Sequence, residues 1–152
     1  MSRHGRSRWA VNQTFIIGKQ DSPMMKRWRL VQTPWFGAYV HFIYSEDLDP
    51  HPHDHPWNFV RCVLRGGYSE EYAGRKVGAA GRLRPFRPGY VPTDAHHRIT
   101  AVKPGTVSLV LVGRKSRDWG FWVPEEICGL AAARWVDYRD YLGLRTTTPD
   151  TS

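Results

Sequence analysis

Apolar and polar residues alternate along most of this chain in short runs, and Gly, Pro and Asp interrupt the runs every few positions. A period of two with frequent turn residues predicts the half-buried strands of an antiparallel all-β domain. The candidate strands are Arg27–Gln32, Ala38–Tyr44, Asn58–Leu64, Tyr68–Tyr72, Gly81–Phe86, Arg98–Val102, Val107–Val112 and Gly120–Val123. Turns fall between them at Gly66-Gly67, Arg87-Pro88-Gly89 and Lys103-Pro104-Gly105, where Gly supplies backbone freedom and Pro a fixed φ. The number and spacing of strands predict a barrel or jelly roll. Only the C-terminal segment has a helical period: Trp135, Tyr138 and Leu142 share one face, Gly143 follows as a cap, and the helix is expected to pack outside the barrel.

A chain of 152 residues with 41% hydrophobic and 13% aromatic side chains has the size and composition of one globular domain. It is expected to span residues 10–145, with a flexible basic tail over residues 1–9 and a disordered polar tail over 146–152. The net charge of +8 and pI near 9.9 raise the question of nucleic acid. The basic residues are spread along the chain, however, and only Arg3, Arg6 and Arg8 form a local run, so charge alone does not select that partner. Cys62 and Cys128 form no CxxC pair, which argues against a zinc ribbon or disulfide framework. No apolar run is long enough for a membrane span, and a cytoplasmic protein is expected.

The chemistry concentrates in His51-Pro52-His53-Asp54-His55-Pro56-Trp57 and, about forty residues on, Pro92-Thr93-Asp94-Ala95-His96-His97. Alternate histidines on an extended segment project to one face, and a further His from a distant strand could complete a facial set of imidazole ligands. His51, His53 and His55 share one parity, whereas His96 and His97 must point to opposite faces. Asp54 should point away from its flanking histidines.

These two segments resemble the paired motifs of the cupin superfamily. His53-x-His55, followed eleven and twelve residues on by Gly66 and Gly67, is similar to the first motif, and Pro92-x-Asp94-x-x-His97 to the second. The resemblance runs from about Ala38 to Val112. It implies a double-stranded β-helix, or jelly roll, to which the short helix expected from the C-terminal period would be added, and a metal held by His53, His55 and His97. Cupins carry a ligand Glu four or five residues after the second His, where this chain has Phe59 or Val60, and Asp94 replaces a Gly of the second motif. The resemblance is therefore to the three-His variant found in some cupin dioxygenases. His51 is a candidate fourth ligand or supporting group, and Glu70, Glu71 or Asp54 could supply a carboxylate. Neutral imidazoles suit Fe(II), Ni(II), Cu(II) and Zn(II), with Mn also to be considered, and the family likeness favours Fe(II).

Parity carries the reading further. If His53 and His55 face a cavity, Trp57, Phe59 and Arg61 face it too, while Val60, Cys62 and Leu64 form an outer stripe suited to burial against a sheet edge or a second subunit. Tyr39 and His41 would line the same pocket, although a strand His is often a satisfied core residue. Arg61 must meet Glu70, Glu71 or an anionic substrate group, and Tyr90 is a candidate proton donor. Cys62, opposite in parity to the histidines, reads as a structural thiol. The Arg114–Trp122 segment reads as a basic turn feeding an aromatic strand, with base stacking as the alternative. The function expected is a metal-dependent oxygenase or dioxygenase acting on a small, anionic molecule, in a homodimer as the resemblance implies. A sugar-type isomerase or epimerase, and a non-catalytic binding or structural cupin, are the alternatives.

Overall fold

The computed structural model describes residues 10–18, 21–72, 81–127 and 130–141. The two expected tails, Cys128, Leu142 and Gly143 lie outside the described residues. Eleven strands occur among the described residues: β1 (Ala10–Gly18), β2 (Pro23–Gln32), β3 (Gly37–Ile43), β4 (Phe59–Arg65), β5 (Tyr68–Tyr72), β6 (Gly81–Leu83), β7 (Pro88–Val91), β8 (His97–Val102), β9 (Thr106–Val112), β10 (Gly120–Ile127) and β11 (Leu130–Asp137).

The strands form two facing layers. One sheet runs β1-β2-β3-β9-β4-β7. The other is assembled from β6-β5-β8 and the β10-β11 pair, joined through a single residue, His53, which bridges His97 of β8 on one side and Phe121 of β10 on the other. Insertion of β9 between β3 and β4, and the crossing from β4 to β5, give the jelly-roll connectivity. No described helix is long and apolar enough to cross a membrane.

Alternation along the strands sorts residues between the inner and outer faces. On β4, Phe59, Arg61 and Val63 are buried, while Val60 and Leu64 are exposed and Cys62 is half-buried. On β9, Thr106, Ser108, Val110 and Val112 point in. Two apolar clusters fill the interior: Met24, Met25, Ile43, Val63, Tyr68 and Ile99 at one end, and Tyr39, Phe59, Val91, Val110 and Val112 at the other. Their side chains leave water together, which is the main term holding the sheets face to face.

Three strands were not expected. β1 has too little alternation to stand out. β7 contains Pro88, which reads as a turn, yet β7 is the edge strand beyond β4, where a missing N–H costs no ladder bond. β11 begins Leu-Ala-Ala-Ala, a helix-favouring run, but pairs with β10 from Gly120↔Asp137 to Ile127↔Leu130, so tertiary pairing overrides propensity. Trp135 therefore sits on a strand opposite Trp122 rather than on the expected helix. Among the described residues, helix is found at 138–141, where buried Tyr141 stacks on Phe121 at 3.9 Å between ring centres.

Gly66 makes the crossing between the sheets. Its φ is +79°, and a Cβ there would stand 2.5 Å from Thr106 Oγ1 and 2.8 Å from the Thr106 backbone. Gly66→Ala is expected to cost about 1–3 kcal/mol of stability, read as a lower urea midpoint with an unchanged m-value.

Candidate metal centre and its cavity

His53 and His97 exchange both backbone hydrogen bonds, N to O and O to N, each at 2.9 Å. Residues so paired across an antiparallel ladder project to the same face. His55, two positions further on, shares that face. The three rings converge with centres 5.0–5.1 Å apart, and one ligand atom from each lies within 4.8 Å of the others. The Nε2 atoms of His55 and His97 are 2.8 Å apart. Two metal–nitrogen bonds of about 2.0–2.1 Å at a right angle would span roughly 3 Å, so the pair is set for adjacent positions on one ion.

Asp54, between the two loop histidines, turns the other way and is fully buried. Its carboxylate accepts from the Gly120 N–H at 2.8 Å, Arg117 Nη2 at 2.7 Å and Trp135 Nε1 at 2.9 Å. It is thus a clamp between the His loop and the β10-β11 hairpin, and it offers no ligand.

Glu70 stands behind the cluster rather than in it. Its Oε1 is 3.0 Å from His97 Nδ1, its Oε2 accepts from the Tyr72 hydroxyl at 2.9 Å, and Arg61 Nη2 makes an ion pair with the same oxygen. Arg61 Nη2 also donates to Tyr72 Oη at 2.9 Å. Burial alone would raise the Glu70 carboxyl, but His97, Arg61 and Tyr72 outweigh it and hold the group below the ordinary carboxylate value. A proton kept on His97 Nδ1 leaves the Nε2 lone pair for the cluster centre. A weaker counterpart exists at His53, whose Nδ1 is 3.8 Å from Asp47 Oδ2. Asp47 escaped the sequence reading because it lies in a loop, six residues before its histidine.

The remaining imidazoles are held neutral. Burial, then the neighbouring His97, depresses His53 to about 3. Burial also takes His55 well below its ordinary value, with His97 and His53 adding to the effect. Imidazole nitrogens converging from three directions, one of them backed by a carboxylate, fit a divalent ion of nitrogen-binding type such as Fe(II) or Zn(II).

The cluster forms one wall of a cavity of about 360 Å³ between the sheets. The structure brings Tyr39, His41, Trp57, Phe59 and Arg61 to its lining, together with Val110, Val112 and Trp119. Arg27 is also there, unanticipated because it sits in the basic run Lys26–Arg29; its shared parity with inward Met25 was the available signal. Register puts Arg27 opposite His41, and its Nε donates to His41 Nε2 at 3.0 Å. Burial, helped by the Arg27 charge, lowers His41 to about 3, so this ring is both cavity lining and a satisfied acceptor.

Two expected site residues lie elsewhere. Tyr90 is 64% exposed and outside the cavity. It pairs with Val60, an outward-facing position of β4, so its hydroxyl cannot serve as the proton donor first expected. His51 is not gathered with the other histidines, because its ring meets Tyr141 edge-on at 5.9 Å. His96 points away from His97 and stacks on Trp122 at 4.4 Å. In the basic segment, Arg117 is engaged by Asp54 and the Thr93 carbonyl, Lys115 pairs with Asp118, and Trp119 lines the cavity while stacking on Tyr138 at 4.8 Å.

No family model and no curated protein matches this chain. Solved structures do. A putative mannose-6-phosphate isomerase from Ralstonia eutropha JMP134 is similar with 20% identity and a TM-score of 0.54, over 61% of this chain and 87% of that one. An RmlC-like cupin from Shewanella frigidimarina NCIMB 400 is similar with 17% identity and a TM-score of 0.51, over 70% and 86%. Fe(II)-HppE with the alternative substrate (S)-1-HPP is similar with 18% identity and a TM-score of 0.53, over 67% of this chain and 55% of that one. This chain thus spans little more than half the length of that iron protein. The fold is that of the RmlC-like cupins.

Two measurements probe the site. Asp54→Ala strands three donors and is expected to cost about 3 kcal/mol in urea unfolding. The second concerns pH. Unfolded histidines take a proton near 6.5, whereas folded His41 and His53 resist it down to about 3. The unfolded state binds more protons across that window, so the contribution of these residues to stability is lost as pH falls from about 6.5 towards 3. Urea unfolding of metal-free protein from about pH 7 to about pH 5 should show this fall, and His41→Gln should reduce its slope by up to one proton.

Proposed function

We propose that His53, His55 and His97 hold one divalent metal ion, foremost Fe(II), with Ni, Mn or Zn as alternatives, and that the chain is a small-molecule oxygenase of dioxygenase type. The observation that carries this reading is the convergence of three imidazoles on the wall of an aromatic cavity. The presence of Fe(II) in a protein of the same fold supports it. A bound iron would supply dioxygen activation, and any of these ions would supply Lewis acidity.

The residues around the ion have distinct tasks. Glu70 fixes the His97 tautomer by holding the Nδ1 proton, and Arg61 and Tyr72 keep Glu70 ionised and oriented. Tyr39, Trp57 and Phe59 exclude water from the reacting volume. Arg61, 6% exposed, has Nε and Nη1 buried without a hydrogen-bond partner, so these atoms are available to a polar group of the substrate. The exposed outer residues Val60, Leu64, Leu111 and Tyr90 support a homodimer. The cytoplasm is the compartment we infer, on the two cysteines without a framework.

Metal analysis by mass spectrometry on untagged protein, after anaerobic reconstitution with each ion, tests the proposal. We expect near-stoichiometric metal in the wild type, none in folded His53→Ala and His97→Ala, and about 10–100-fold weaker binding in Glu70→Gln. Absence of metal in the wild type would overturn the reading. Dioxygen uptake by the iron form with candidate substrates tests the oxygenase assignment; turnover without uptake would favour an isomerase or epimerase, and ligand binding without turnover a binding protein.

A further inference from the structure

We propose that Arg27 is the anchor for a carboxylate on the molecule this cavity binds, with the rest of that molecule directed toward the His cluster. The inference deepens the metal-enzyme reading by naming a substrate class, small organic acids, and by locating the charge that selects them.

Arg27 reaches the cavity from β2, the opposite sheet to His97. Among the described residues its partners are the His41 imidazole, which accepts from Nε at 3.0 Å, and the Tyr39 ring, whose centre lies 5.4 Å from the guanidinium carbon. Neither is an anion. Arg61, the other cation of the cavity, differs in this respect because Glu70 already offsets its charge. Burial lowers the Arg27 pKa; Tyr39 offsets this in part, and no carboxylate among the described residues does so. Arg27 is half-buried, and a cation partly withdrawn from water without a counter-charge favours the entry of an anion into the cavity.

The chemistry of the anion follows from what the guanidinium has left to offer. Nε is committed to His41, so the end-on pair of Nη nitrogens remains, and that fork matches the two oxygens of a carboxylate. Arg27 and the three histidines line the same cavity, Arg27 from one sheet and His97 from the other. The mainly apolar and aromatic wall between them suits the carbon frame of such an acid.

Benzoate and benzamide, equal in shape and different in charge, are the probes. Titration calorimetry on metal-free protein avoids direct ligation of benzoate by an ion, and the same samples are then assayed for zinc uptake. We expect wild type to bind benzoate about tenfold more tightly than benzamide, the effect of one charge-assisted pair. In Arg27→Met, shown to be folded by circular dichroism, the preference should fall below about twofold, again by the loss of that pair. Arg27→Lys serves if the Met variant does not fold, and must lose benzoate affinity more than benzamide affinity. No preference for benzoate in the wild type, or a preference that survives both substitutions, would overturn the anchor. Zinc uptake separates the two ideas: a preference dependent on Arg27 in protein that takes up no metal would sink the metal centre alone, and zinc uptake without the preference would sink the anchor alone.

Discussion

Two backbone hydrogen bonds between His53 and His97 hold this architecture together. They tie the His loop to β8, while the Pro52 carbonyl accepting from the Trp122 N–H and the Asp54 N–H donating to the Gly120 carbonyl tie it to β10, so the loop joins the two parts of the second layer. The same pairing orients both imidazoles. A ladder pair cannot be formed without placing its side chains on a common face, so the closure of the sheet and the convergence of two candidate ligands are a single geometric event. His55 follows by parity, and Asp54, forced to the other face, becomes the tie to the hairpin.

Charge in the interior is arranged by the same logic. His97 pairs with Glu70, and Glu70 with Arg61 and Tyr72, so both carboxylate oxygens are engaged and the opposite charges of Glu70 and Arg61 offset each other, which makes them tolerable in a low-dielectric core. Arg27 stands apart from this network. Its neutral acceptor and aromatic neighbour hold it in place without cancelling its charge. The cavity consequently has one electrically balanced side and one that is not.

Much of this was legible from residue spacing. Period-two alternation locates β4 and β9 and assigns Phe59 and Arg61 inward and Val60 outward, because sheet geometry admits only two faces. The His pattern was readable for the same reason. What escaped depends on partners that local sequence cannot name. Pro88 looks like a turn until its strand is known to be an edge, and the alanines of β11 look helical until β10 is known to lie alongside. Tyr90 was misplaced because its direction is fixed by its register with Val60, and Arg27 was passed over because four successive polar-to-aromatic positions conceal which of them turn inward. The choice between Glu70 as ligand and Glu70 as support likewise needed the position of His97 Nδ1.

The Asp54 clamp makes the His loop and the C-terminal hairpin one cooperative unit. The Asp54 N–H donates to the Gly120 carbonyl, and the Gly120 N–H returns to the Asp54 carboxylate. Both amides are therefore closed by the same contact, although 66 residues separate them in sequence. Fluctuations that open one must open the other. Hydrogen exchange at these two sites would proceed at a common free energy of opening, and the candidate ligands would keep their arrangement only as long as the hairpin stays docked.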